Sequence, residues 1–93
     1  MAKYVTLINW TDQGAKAAAE TVQRAEAAQK LAADMGGSIE LLWTMGQYDI
    51  VGIGEFPDDE TAAGFMAKVS SLGNVRTQTM RAFEAADLRR MMP

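Results

Sequence analysis

Residues 48–56 read YDIVGIGEF, and the alternation in this stretch decides the fold. As a strand it places Asp49, Val51, Ile53 and Glu55 on one side and Ile50, Gly52 and Gly54 on the other. Glycines inside a strand weaken it unless something approaches closely there. An alanine-faced helix is the economical partner, since two surfaces without large side chains can pack at short distance. That expectation puts Asp49 and Glu55 on the face turned away from the helices.

Upstream, residues 3–10 have the β-branched and aromatic content of a strand, with Val5, Leu7 and Asn9 on one side and Tyr4, Thr6, Ile8 and Trp10 on the other. Residues 11–35 then turn alanine-rich with apolar positions recurring every three or four residues, which predicts a helix stopped by Gly36 and Gly37. Thr11 or Asp12 can cap it, although Gly14 weakens its first turn by about 1 kcal/mol relative to alanine. Residues 38–44 alternate as a second strand, with Ile39, Leu41 and Trp43 directed under the helices, and Met45, Gly46 and Gln47 form the turn into the third.

Downstream, Pro57, Asp58, Asp59 and Glu60 open a second helix, with Asp58 as its cap and the acids at its positive end. Capping explains this acidic run without a metal ion. Ala62, Phe65, Met66, Val69 and Leu72 form the buried stripe, Gly73 and Asn74 stop the helix, and residues 74–83 alternate as a fourth strand. Residues 84–93 are a short tail with helical character.

The order is therefore βαββαβ in one domain over residues 1–93, with its core at about 3–83. An α+β, ferredoxin-like fold follows, a four-stranded antiparallel sheet with both helices on one face. The other face is expected to carry Tyr4, Ile8, Trp10, Leu42, Val51, Ile53 and Met80 against Asp49, Glu55, Arg76 and Gln78. Such a face is too apolar for a solvated surface, so a homodimer or higher oligomer through it is expected.

Composition removes whole classes of chemistry. The chain has no cysteine and no histidine, which excludes thiolate or imidazole metal ligation, a Ser-His-Asp triad and histidine-held haem. No cofactor is called for. A net charge of −3 argues against binding a phosphate backbone, so no nucleic acid is expected. No apolar run approaches the ~20 residues of a membrane span, and the N-terminus enters strand pattern without a signal-peptide layout. No membrane and a cytoplasmic location are the expectations.

The residues also carry a resemblance. YVTL followed by WT, then GQYD, GEFPDD and LGNVRTQTMRAF look like the GYD family, named for its glycine, tyrosine and aspartate. The match runs from Tyr4 to Phe83, and four separated motifs in the right order make it specific. The resemblance implies membership of the dimeric α/β barrel superfamily, in which two ferredoxin-like sheets face one another around a cleft. One departure lies at residues 15–22, an alanine run where family members are often more polar before an arginine matching Arg24.

Candidate site residues follow from these faces. Asp49 is either a strand-entry acid, solvated or paired with Arg76 or Lys3, or, inside an enclosed cleft, a proton acceptor or donor. Glu55 lies on the same face, too far along the strand to pair with Asp49. Tyr48 is a core-edge aromatic or a ligand contact. Trp10 is a cleft or interface residue, Arg76 and Arg24 are contacts for an anionic ligand, and Arg24 has Glu20 as an alternative partner.

Three functions remain open: small-molecule binding in a cleft between facing sheets, a cofactor-independent oxygenase- or isomerase-like enzyme with Asp49 as base and Trp10 or Asn9 as substrate contacts, and a structural oligomer.

Overall fold

The computed structural model describes residues 1–92. Its elements run β1 (Ala2–Trp10), α1 (Asp12–Lys16), a 3-10 turn (Ala18–Glu20), α2 (Thr21–Asp34), β2 (Ser38–Trp43), β3 (Ile50–Phe56), α3 (Asp59–Ser71), β4 (Val75–Ala82) and α4 (Ala85–Met91). The strands form one antiparallel sheet in the order β2-β3-β1-β4, which is the ferredoxin-like arrangement expected from the element order.

Register identifies the face under the helices. Tyr4 lies opposite Gly54, Thr6 opposite Gly52 and Ile8 opposite Ile50, while Ile39 and Leu41 of β2 face the same two glycines from the other side. Tyr4, Ile39 and Phe56 form one buried cluster with Ala32 of α2 and Ala62 and Phe65 of α3. The Phe56 and Phe65 rings are 5.1 Å apart, and Tyr4 meets Phe56 edge-on at 6.0 Å.

This corrects the expected composition of the open face. Tyr4, Ile8 and Trp10 belong to the helix-covered side, because their registered neighbours do. The open face instead carries Val5, Leu7, Leu42, Val51, Ile53 and Met80, in register with one another across the sheet. Leu42, Ile53 and Met80 remain 49%, 38% and 41% exposed. The face is as apolar as expected, but through different β1 residues.

The strand glycines also have another cause than helix approach. A Cβ on Gly52 would meet side-chain atoms of Thr6, Ile39 and Leu41 at 2.7 to 3.2 Å, and one on Gly54 would meet the Phe56 ring and the Ser38 carbonyl at 3.3 Å. Side chains from the neighbouring strands fill the space above Gly52, and the Phe56 ring of β3 itself, with the β2 backbone, fills that beside Gly54.

The expected long helix is interrupted at Ala17, whose φ of −105° and ψ of 32° end α1. The break leaves α1 tied to the start of β4. Thr11 donates its backbone N–H to the Asn74 carbonyl at 3.0 Å and its hydroxyl to the Gly73 carbonyl at 2.7 Å. Gln13 reaches the Leu72 carbonyl and the Asn74 side chain. Thr11 also caps α1 by accepting from the Gly14 N–H at 3.2 Å.

Asp58 caps α3 as expected, accepting from the Thr61 hydroxyl at 2.7 Å and its N–H at 2.8 Å. Those two donors, the hydroxyl first, hold its carboxyl below the usual carboxylate range. Tyr4 shows the opposite effect. Burial, then the hydrogen bond its hydroxyl donates to Asp59, pushes its phenol up.

Candidate ligand cavity

A cavity of about 180 Å³ lies between the sheet and the helices. Small residues make the room: Ala25, Ala27 and Ala28 of α2 line it where larger side chains would close it. The sheet contributes Thr6, Ile8 and Trp10 from β1, Ile50 from β3, and Val75 and Thr77 from β4. Phe65, Met66 and Val69 of α3 complete the apolar walls, and exposed Leu72 marks an edge.

Trp10 is positioned by its backbone. The ladder between β1 and β3 ends at Ile8 and Ile50, and Asp49 extends the pairing by one clasp. Its N–H donates to the Ile8 carbonyl at 3.0 Å, and its carboxylate accepts the Trp10 N–H at 2.9 Å. Trp10 lines the cavity, and its indole Nε1 is buried without a hydrogen-bond partner among the described residues.

Arg24 reaches the same wall from α2. Its guanidinium donates to the Ala17 carbonyl at 2.9 Å and the Gly14 carbonyl at 3.2 Å, and Glu20 stands 4.0 Å away. It therefore braces the break between α1 and α2 while contributing its flank to the cavity.

The other expected site residues are not brought together. Tyr48 is half-buried in the segment before β3, where its carbonyl accepts the Thr44 hydroxyl at 2.6 Å, and it does not line the cavity. Glu55 is exposed on the open face opposite Lys3 and Ser38. Arg76 is exposed opposite Asn9, with no ion pair among the described residues. Asp49 takes neither cationic partner named for it, binding a backbone N–H instead.

Sequence reasoning missed Asn74 and Thr77. Asn74 reads as a helix stop, and it joins the cavity because α1 folds back onto it. Thr77 lies opposite Ile8, so its place becomes visible once the β1 and β4 register is known. Among the described residues no cluster of three or more His, Cys, Asp or Glu side chains could hold a metal ion, and no helix is long and apolar enough to cross a membrane.

Asp49→Ala removes the carboxylate half of the clasp, leaving the backbone bond to Ile8, and should cost about 1.5 to 3 kcal/mol in a urea titration, the range for a hydrogen bond to a charged group. Asp49→Asn keeps an acceptor and should lose less. Equal stability of the wild type and the alanine variant would show that the carboxylate bond to Trp10 contributes nothing to the fold.

Comparison with known proteins points to one family and one fold. The GYD domain family profile matches residues 4–92. The glutamine synthetase and cystathionine beta-lyase binding protein of Thermus thermophilus is 33% identical over 90 residues, 95% of each chain. A crystal structure of a protein from Thermus thermophilus superposes with a TM-score of 0.60 at 25% identity, covering 91% of this chain and 96% of that one. A crystal structure of a candidate chlorite dismutase gives a TM-score of 0.61 at 14% identity, over 100% of this chain and 49% of the larger one. This last likeness is one of fold, that of the dimeric α/β barrels.

Proposed function

The chain belongs to the GYD domain family, and from that premise we propose that it is a small binding protein that self-associates through its open sheet face and holds a small molecule beneath its helices. The observation that carries the ligand part is the helix-side cavity. This moves the expected cleft from between two facing sheets to within each subunit. Ligand sites favour such concave, largely apolar spaces with a few placed polar groups.

Self-association is supported by the open face, where exposed Leu42, Ile53 and Met80 accompany half-buried Val5, Leu7 and Val51. Burying such a face is favourable at about 25 cal/mol per Å² of apolar area. The Thermus relative is named for binding two enzymes, which favours a second reading: an enzyme surface is another partner for this chain. Catalysis through Asp49 draws no support from the geometry, since its carboxylate is engaged by the Trp10 N–H.

Native mass spectrometry of gently purified protein tests both parts together. A dimer or higher multiple with a reproducible extra mass is the expected result. Ile53→Glu places a charge in the middle of the face and should weaken self-association about 30-fold or more, since an unpaired carboxylate is costly to bury. Because Ile53 is exposed in the subunit, the fold itself should tolerate the change. A wild-type monomer at tens of micromolar would overturn the pairing, and repeated absence of bound mass together with failure of small apolar probes would overturn the ligand part.

A further inference from the structure

Resting on the cavity reading above, we propose that the space beneath the helices takes an uncharged, mainly hydrocarbon molecule of single-ring size, and that Ala25 and Ala28 of α2 set this limit. Protein interiors are close-packed, so side chains would ordinarily fill such a space. Leaving it unfilled costs stability in proportion to its volume, and an apolar cavity stays dry and takes up a small ring compound. At about 180 Å³, this one slightly exceeds the ~150 Å³ cavity that accommodates benzene, which suits one six-membered ring with a short substituent.

One helix sets the size. α2 turns Thr21, Arg24, Ala25, Ala28 and Leu31 to the cavity, at the three- and four-residue spacing of a single helix face. The other walls present large side chains, Phe65, Met66 and Val69 from α3 and Ile8 and Ile50 from the sheet. Buried Ala25 and half-buried Ala28 are the places on the α2 face where a leucine would occupy the space. Their short side chains leave the room, and larger residues there should close it.

The wall also selects against charge. Among the described residues no carboxylate and no lysine lines the cavity, so a cationic guest finds no counter-ion. Arg24 is the charged side chain present, and its guanidinium already donates to the Ala17 and Gly14 carbonyls with Glu20 4.0 Å away. An anion would have to draw it from those carbonyls and meet Glu20 beside it. The hydroxyls of Thr6, Thr21 and Thr77 and the Asn74 amide can meet a polar atom of a guest, but they cannot offset the desolvation of a net charge. Burial of apolar surface is left to supply the affinity.

Toluene, benzoate, benzylammonium and biphenyl test this, the first three similar in size and different in charge. Titrations followed by methyl resonances should show toluene binding at least about tenfold tighter than either ion, since an unpaired charge is costly to bury, and biphenyl binding more weakly than toluene. The shifts should fall on Ile8, Ile50 and Val69, which line the cavity, and spare Leu42 and Ile53 of the open face. Ala25→Leu should weaken toluene binding at least about tenfold while melting no lower than the wild type, because the added atoms fill existing space. Ala28→Val repeats the test with a smaller addition in case the leucine overpacks. Either ion binding as tightly as toluene would overturn neutrality, and biphenyl binding as tightly would overturn the size limit; both results leave the cavity reading standing. Undiminished toluene binding in both alanine variants would overturn the role given to α2. Shifts confined to the open face, or binding of none of the four probes, would remove the cavity reading and this assignment with it.

Discussion

Phe56→Ala should lower the stability of the domain by about 3 to 5 kcal/mol, the range for truncating a fully buried phenylalanine. Phe56 is 0% exposed, and its ring lies between Tyr4 and Phe65. It also occupies the space that a Cβ on Gly37 would need, at 2.5 Å. β1, α3 and the turn after α2 therefore all lose a contact together. A chain of this size has about 5 to 14 kcal/mol of total stability, so the variant should melt roughly 15 °C or more below the wild type. Phe83→Ala is the internal control, because Phe83 is 50% exposed and should cost little. A loss below about 1 kcal/mol at Phe56 would mean that the centre of the core lies elsewhere.

Gly14→Ala is the second large effect, and its sign separates local from tertiary causes. Helix propensity alone favours alanine by about 1 kcal/mol. Yet a Cβ at this position would lie 2.0 Å from the Asn74 carbonyl oxygen and 3.0 Å from its carbonyl carbon. The obstacle is backbone, held by the Thr11 and Gln13 hydrogen bonds, so α1 must shift away from the start of β4. A net loss of about 3 kcal/mol is expected, at the upper end for overpacking. Denaturant titration decides it: a stabilised variant would show that α1 does not pack against β4 as described. Since Asn74 and Val75 line the cavity, binding of small apolar probes should weaken in the same variant.

Much of the fold was legible because its signals are local. Period-two and period-three-to-four patterns, the Gly36 and Gly73 stops and the Asp58 cap each depend on neighbours within a few residues, and the order of elements then leaves few topologies. The face of β1 was not legible. Val5 and Leu7 are as apolar as Tyr4 and Ile8, so alternation separates the two sets without saying which one meets the helices. Register does say it, through Tyr4 opposite Gly54 and Thr6 opposite Gly52, and register is a long-range property.

The site follows the same division. Trp10 and Arg24 could be named as candidates from residue type, but the side on which they meet depended on the β1 face. The break at Ala17 carries no local marker in an alanine run, and without it the place of Asn74 beside the cavity could not be foreseen. Asp49 was readable as a strand-entry acid, but its partner is a backbone N–H, which residue type does not reveal.

Gly46, Tyr48 and Asp49 supply the letters by which the family is known, and the structure shows two of them at architectural work. Gly46 turns the chain with φ of 111°, a conformation that side chains disfavour, and Asp49 fastens the end of one strand to the start of another. The signature thus records a latch. In this chain it closes the sheet beside Trp10, while the walls of the cavity are written elsewhere, in the alanines of α2 and the apolar stripe of α3. Recognition by the three letters alone would group proteins by how they are fastened, and leave the lining of the space beneath the helices free to diverge.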